Sequence, residues 1–99
     1  MNYENKSDFV RVRALISGRV QHVGFRSWTC DQAERLGLTG SVENLDDGRV
    51  EVFFQGKPEF VSEMKEKLKR GSPLSVVKQV IFYNERVKEN ETFFENVWF

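Results

Sequence analysis

The sequence predicts an α+β fold, a two-layer sandwich on the ferredoxin-like, split βαβ plan (βαββαβ). Its antiparallel sheet would carry an extra C-terminal strand and two helices on one face. Three observations predict it. Short segments alternate apolar and polar residues with period 2, the strand signature. Two segments between them carry apolar stripes at helical spacing. Glycine, proline or an Asp-Gly pair punctuates the junctions. With 99 residues the chain makes one domain.

The elements follow in order. Residues 1–8 (MNYENKSD) are polar, lack the apolar stretch of a signal peptide, and are expected to form a flexible tail before a domain over 9–99. Phe9 to Ser17 alternates, with Val10, Val12, Ala14 and Ile16 on one face and Arg11 and Arg13 on the other. Gly18 is expected to stop this strand. Phe25, Thr29, Ala33 and Leu36 then recur at helical spacing, and Gly37 suits a left-handed C-cap. Leu38 to Asn44 reads as a second strand with Gly40 as its weak point. LDDG at 45–48 is an Asp-Gly turn, and Arg49 to Gln55 alternates again, so the pair reads as a hairpin. Pro58 suits the first turn of a second helix, with Phe60, Val61, Met64 and Leu68 as its stripe. Its early glutamates and late lysines match the helix dipole, and Gly71-Ser72-Pro73 ends it. Val76 to Tyr83 is a fourth strand, Asn84 to Asn90 a polar connection, and Phe93 to Phe99 a fifth strand. The sheet face without helices would carry Arg11, Arg13, Glu51 and Phe53, a mixed set suited to partial exposure. Phe93, Phe94, Trp98 and Phe99 are expected to close a short C-terminal edge.

Composition narrows the function classes. Fifteen basic and fifteen acidic residues cancel, so the chain lacks the basic excess of a polyanion binder, and no nucleic-acid partner is expected. The longest apolar runs, such as Val52 to Phe54, are too short to cross a bilayer, and no membrane partner is expected. The lone Cys30 excludes an internal disulfide and a thiolate metal cluster. It suits a reducing compartment, so a cytoplasmic location is expected; the chain is also expected to be a monomer.

The segment between the first strand and the first helix reads GRVQHVGFR, Gly18 to Arg26. Backbone N–H groups in such a turn, and at the start of the helix, lack internal partners and suit an oxyanion. Arg26 adds a planar fork of donors. A solubilising Arg26 and a ligand-binding Arg26 both fit the spacing, but a cation at a helix N-terminus is mildly unfavourable, which raises the question of a compensating anion. Asn44, just before the turn, reads either as an Asx-turn residue or as an amide that positions a water beside the loop. The choice depends on whether the second strand delivers Asn44 to the loop's edge. His22, the sole histidine, sits within the loop as a solvent-facing side chain or a base; with no companion ligands, no metal site is expected. Cys30 is expected to pack. Turn chemistry explains Asp46 and Asp47.

GRVQHVGFR followed by GSVENLDDGRVEV resembles the acylphosphatase family, whose two blocks have the form G-x-V-Q-G-V-x-F-R and G-x-V-x-N-x-x-D-G-x-V-E. Gly18, Val20, Gln21, Val23, Phe25 and Arg26 match the first, and Gly40, Val42, Asn44, Asp47, Gly48, Val50 and Glu51 the second. KRGSP at 69–73 is similar to the family's segment after its second helix, and the likeness spans residues 8 to 99. It implies hydrolysis of the carboxyl-phosphate bond of acyl phosphates to a carboxylate and inorganic phosphate, without metal or organic cofactor. It implies a phosphate-binding loop of Val20, Gln21, His22, Val23, Gly24, Phe25 and Arg26. Arg26 would be the phosphate-binding arginine and Asn44 the water-orienting asparagine. The small acyl phosphate would be the only partner and phosphate its product. One position departs: His22 stands where the family has glycine. If φ is positive there, histidine carries strain.

Two rival classes share the fold. A non-catalytic module would use the same loop for an anionic partner, and release of phosphate from a generic acyl phosphate separates the two. An RNA-binding module would need a basic-aromatic strand motif. The third strand, RVEVFFQ, carries Glu51 instead.

Overall fold

The computed structural model describes residues 6–98. Of the expected tail over 1–8, residues 1–5 lie outside the described residues, as does Phe99 of the expected fifth strand. Lys6–Asp8 form a 3-10 turn, and Lys6 Nζ donates to the Glu89 carbonyl at 2.8 Å. The elements are β1 (Val10–Arg19), α1 (Phe25–Arg35), β2 (Thr39–Asn44), β3 (Val50–Gly56), α2 (Pro58–Arg70), β4 (Val76–Glu85) and β5 (Phe94–Val97). The βαββαβ plan with an added strand is therefore the observed one.

The sheet order is β4-β1-β3-β2-β5. β1 pairs antiparallel with β3 and β4, and β2 antiparallel with β3. β5 joins β2 in parallel, so the sheet is mixed at that edge alone. α1 lies over β2 and β5, and α2 over β1, β3 and β4. The core lies between helices and sheet: Phe25, Ala33, Val61, Met64 and Leu68 meet Val12, Ala14, Ile16, Val42, Val50, Val52 and Phe54. These are the residues that the two periodicities select. Val10 and Phe60 are exceptions: Val10 opens β1 and Phe60 flanks the α2 stripe, and each stays 38% exposed.

Two local features depart from the sequence expectation. β1 does not stop at Gly18 but runs on to Arg19 through a bulge between Ser17 and Gly18. Gly18 has φ 128°, and a Cβ there would collide with the Val76 carbonyl, so only glycine lets β4 pass so close. Arg11 is not on a half-wet face either; it is 5% exposed. The connection after β4 folds back over it. Arg11 Nη1 donates to Gln55 Oε1 at 2.9 Å and to Glu91 Oε1 at 2.8 Å. Gln55 in turn exchanges bonds with Lys88, accepting from its N–H and donating to its carbonyl. A buried guanidinium persists only with such partners. Arg13 remains half-buried as expected, between Glu51, Glu85 and the Tyr83 ring.

Candidate active site

The strand order settles where Asn44 arrives. β1 and β2 flank β3 and run parallel to each other, so Ile16 and Asn44 both stand opposite Val50. The loop that leaves β1 and the end of β2 therefore share one sheet edge. β5, parallel to β2 with Val97 opposite Glu43, ends at the same edge.

Within the loop, Val20 is buried as the anchor, and Val23 packs against the core. Gln21 does something that sequence alone does not reveal. Its Nε2 donates to the carbonyls of Leu45 at 2.8 Å and Arg49 at 2.9 Å, tying the loop to the β2–β3 turn. His22 and Gly24 both take positive φ, 64° and 76°. The first helical bond runs from the Trp28 N–H to the Gly24 carbonyl. From Gln21 to Ser27, no backbone N–H donates to a backbone carbonyl among the described residues. A run of unpaired amides at a helix start is an anion cradle.

The positive φ at His22 makes the strain concrete. A left-handed conformation costs a non-glycine residue ~1–2 kcal/mol. Gly24 meets the same demand without cost. We therefore expect His22→Gly to raise the thermal midpoint by a few degrees, on the scale of about 0.5–1 kcal/mol after glycine's extra unfolded-chain entropy is subtracted. His22→Ala keeps the strain and should give no such gain. Equal midpoints for His22→Gly and His22→Ala in a thermal melt would show that the backbone there is relaxed.

Arg26, in the first turn of α1, is half-buried. Its Nη1 donates to the Val97 carbonyl at 2.9 Å, and its guanidinium carbon lies 3.7 Å from the Trp98 ring centroid. It makes no ion pair with a carboxylate among the described residues, whereas Arg11, Arg13, Arg35 and Arg49 each do. Asn44 is not an Asx-turn residue. The turn is closed by the Leu45 N–H to the Arg49 carbonyl and the Gly48 N–H to the Leu45 carbonyl. Asp47 accepts from the Arg49 backbone N–H at 3.1 Å. That bond and the Arg49 guanidinium hold the Asp47 carboxyl below its ordinary range. Asn44 Oδ1 is buried without a hydrogen-bond partner. A half-turn of the amide exchanges its acceptor and donor ends, so the group retains unspent hydrogen-bonding capacity.

These groups line one cleft of about 230 Å³, walled by Val20, His22, Gly24, Phe25, Arg26, Ser27, Asn44 and Trp98. Beside it lies an outer hollow that shares His22, Arg26, Asn44 and Trp98 and adds Gln21, Glu43, Leu45, Asp46 and Val97. The structure thus brings Arg26, Asn44 and the loop together. Ser27 and Trp98 join them although sequence reasoning missed both. Ser27 adjoins Arg26 in the first helical turn, and that position was its one signal. Trp98 does not close the C-terminal edge as expected but stands over Arg26. Cys30 stays out of the cleft and packs against the core. Burial first, then Glu34 and Asp31, push its thiol up, so it stays protonated. Among the described residues no three His, Cys, Asp or Glu residues gather as a metal site. Among the described residues no helix is long and apolar enough to cross a membrane.

The acylphosphatase family model matches residues 12–96. Among solved structures, acylphosphatase from Bacillus subtilis superposes with TM-score 0.85 at 36% identity, covering 90% of this chain and 99% of that one. An acylphosphatase from Coxiella burnetii gives TM-score 0.87 at 30% identity, covering 93% and 96%. The acylphosphatase of Trichormus variabilis is 48% identical over 79 residues, which is 80% of this chain and 78% of that protein. Identity at this level over four-fifths of the chain, on the same fold, reflects common descent: the chain belongs to the acylphosphatase family, enzymes that hydrolyse the carboxyl-phosphate bond of acyl phosphates.

Proposed function

We propose that the cleft between the 20–26 loop and Asn44 is where this hydrolysis takes place, with Arg26 and Asn44 as its catalytic residues. The unpaired amides of the loop and first helical turn hold the phosphoryl oxygens, and the Arg26 fork neutralises the charge on them. The Asn44 amide oxygen accepts a hydrogen bond from a water and aims its lone pair at phosphorus. The water oxygen forms a bond to phosphorus while the bond to the acyl oxygen breaks. The carboxylate leaves with the electron pair, so no strong general acid is needed. Asparagine is too weak a base to keep the water's proton, which passes to a phosphoryl oxygen of the substrate. The products are a carboxylate and inorganic phosphate. The observation that carries this reading is that Arg26 and Asn44, from different elements, wall one cleft beside unpaired amides. Both come from the same chain, so a monomer suffices. The cleft's size favours a small acyl phosphate, and the lone Cys30 favours the cytoplasm.

Release of phosphate from benzoyl phosphate tests the reaction, and its pH dependence tests the proton's route. The rate is expected to stay flat near neutrality. A rate that follows a single ionisation, and loses that dependence in His22→Gln, would make His22 the base instead.

A further inference from the structure

The fifth strand is more than the βαββαβ plan requires, and its end reaches the cleft. The chain leaves β5 beside Asn44, because Val97 stands opposite Glu43 in the parallel β2–β5 pair. There the Val97 carbonyl takes a hydrogen bond from Arg26 Nη1 at 2.9 Å, and the Trp98 ring lies 3.7 Å from the guanidinium carbon. Trp98 is nevertheless 67% exposed. An indole that is mostly in water contributes little to the core, so its contact with Arg26 is what the fold obtains from it.

Arg26 has reason to need that contact. Its side chain has several free torsions, and its charge faces the positive end of the α1 dipole. Among the described residues, the Val97 carbonyl and the Trp98 ring are what hold the guanidinium in place. The two contacts constrain it in complementary ways. The carbonyl fixes one nitrogen at one edge, and the ring fixes the plane. A single hydrogen bond would leave the group free to rotate about it. The remaining N–H donors stay available to an anion.

We propose that Trp98, together with the Val97 carbonyl, is the positioning residue for Arg26: it sets the guanidinium plane over the amide cradle before substrate arrives. This rests on the reading of Arg26 as the phosphoryl-binding group. Presetting the fork removes an ordering cost from binding. Trp98 touches the arginine and acts through it.

The test combines variants with two readouts. Trp98→Ala should lower kcat/KM for benzoyl phosphate, and weaken competitive inhibition by inorganic phosphate, by about 4–10-fold, between the exposed and the desolvated range of a cation–π contact, because the ring is exposed and the guanidinium half-buried. Trp98→Phe should restore both to within about threefold, because it keeps an aromatic face. In an Arg26→Ala background, Trp98→Ala should cost nothing further, as expected of residues acting through one another. Phosphate should also change the intrinsic tryptophan fluorescence, and Trp98→Phe should abolish that change. Thermal melts of all variants report folding separately. The proposal is overturned if Trp98→Ala stays within twofold of wild type, or if its cost is undiminished in the Arg26→Ala background. A wild-type chain that binds phosphate through Trp98 yet releases none from benzoyl phosphate would sink the catalytic reading of the cleft and still support the clamp.

Discussion

Arg26→Ala is expected to lower kcat/KM for benzoyl phosphate by about 10²–10³-fold, the scale of removing one preorganised charge partner from a transition state. The fold should survive. Arg26 sits at the rim of the core, and among the described residues its side-chain partners are the Val97 carbonyl and the exposed Trp98 ring. Its charge at the N-terminus of α1 is mildly unfavourable, so its removal there costs little and can even stabilise the helix. On the proposed reading, phosphoryl binding and not stability accounts for a half-buried arginine that has no carboxylate partner among the described residues. Arg26→Lys separates charge from geometry. Lysine keeps the positive charge but loses the planar fork and its stacking on Trp98. It should recover only part of the loss, about tenfold short of wild type or worse. Phosphate release and a thermal melt, run on the same preparations, check both claims. Arg26→Ala within a few-fold of wild type would remove arginine from the mechanism.

Much of this arrangement is legible in the sequence because it is local. Alternation from Val10 to Ile16, the Phe25–Thr29–Ala33 stripe and the Asp-Gly turn report their own segments, and the structure follows them. The 20–26 loop and Arg26 are contiguous, so their meeting needs no tertiary knowledge. What is illegible is non-local. Gln21 reads as a member of the cradle, but its side chain is spent on the Leu45 and Arg49 carbonyls, which only strand order brings near. Arg11 reads as half-exposed, because alternation assigns a face without saying what covers it. Its burial depends on Glu91 and Lys88, which the connection after β4 brings over it. Trp98 reads as one more aromatic in an apolar tail. Its place over Arg26 requires β5 to run parallel to β2, and four residues of strand carry no signal of that direction. His22 is a different case. Its residue type argues against positive φ, yet the loop imposes φ 64°. The surrounding anchors, Val20 below and the Gln21 bonds beside it, outweigh a local preference worth only ~1–2 kcal/mol.

Asn44→Ala is the second large effect expected, about 10²–10³-fold in kcat with KM nearly unchanged. The split between the two constants is the informative part. On the proposed reading, Arg26 and the amides meet the phosphoryl group both in the bound substrate and in the transition state, so their loss should affect both constants. A residue that only aims the water is felt when the new bond forms, and its removal lowers kcat alone. The position suits that task. Asn44 ends β2 directly across β3 from Ile16, walls the cleft with Arg26, and takes no part in closing the turn that follows. Its Oδ1 is buried without a partner, so alanine removes an unsatisfied acceptor and should not destabilise the chain. Asn44→Asp discriminates further. A carboxylate also accepts a hydrogen bond from water, but its charge repels the incoming phosphoryl group. KM should therefore rise in Asn44→Asp where it does not in Asn44→Ala. If Asn44→Ala instead raises KM and leaves kcat intact, Asn44 grips the substrate and another group orients the water. Ser27, the remaining hydroxyl on the cleft wall, is then the next residue to replace.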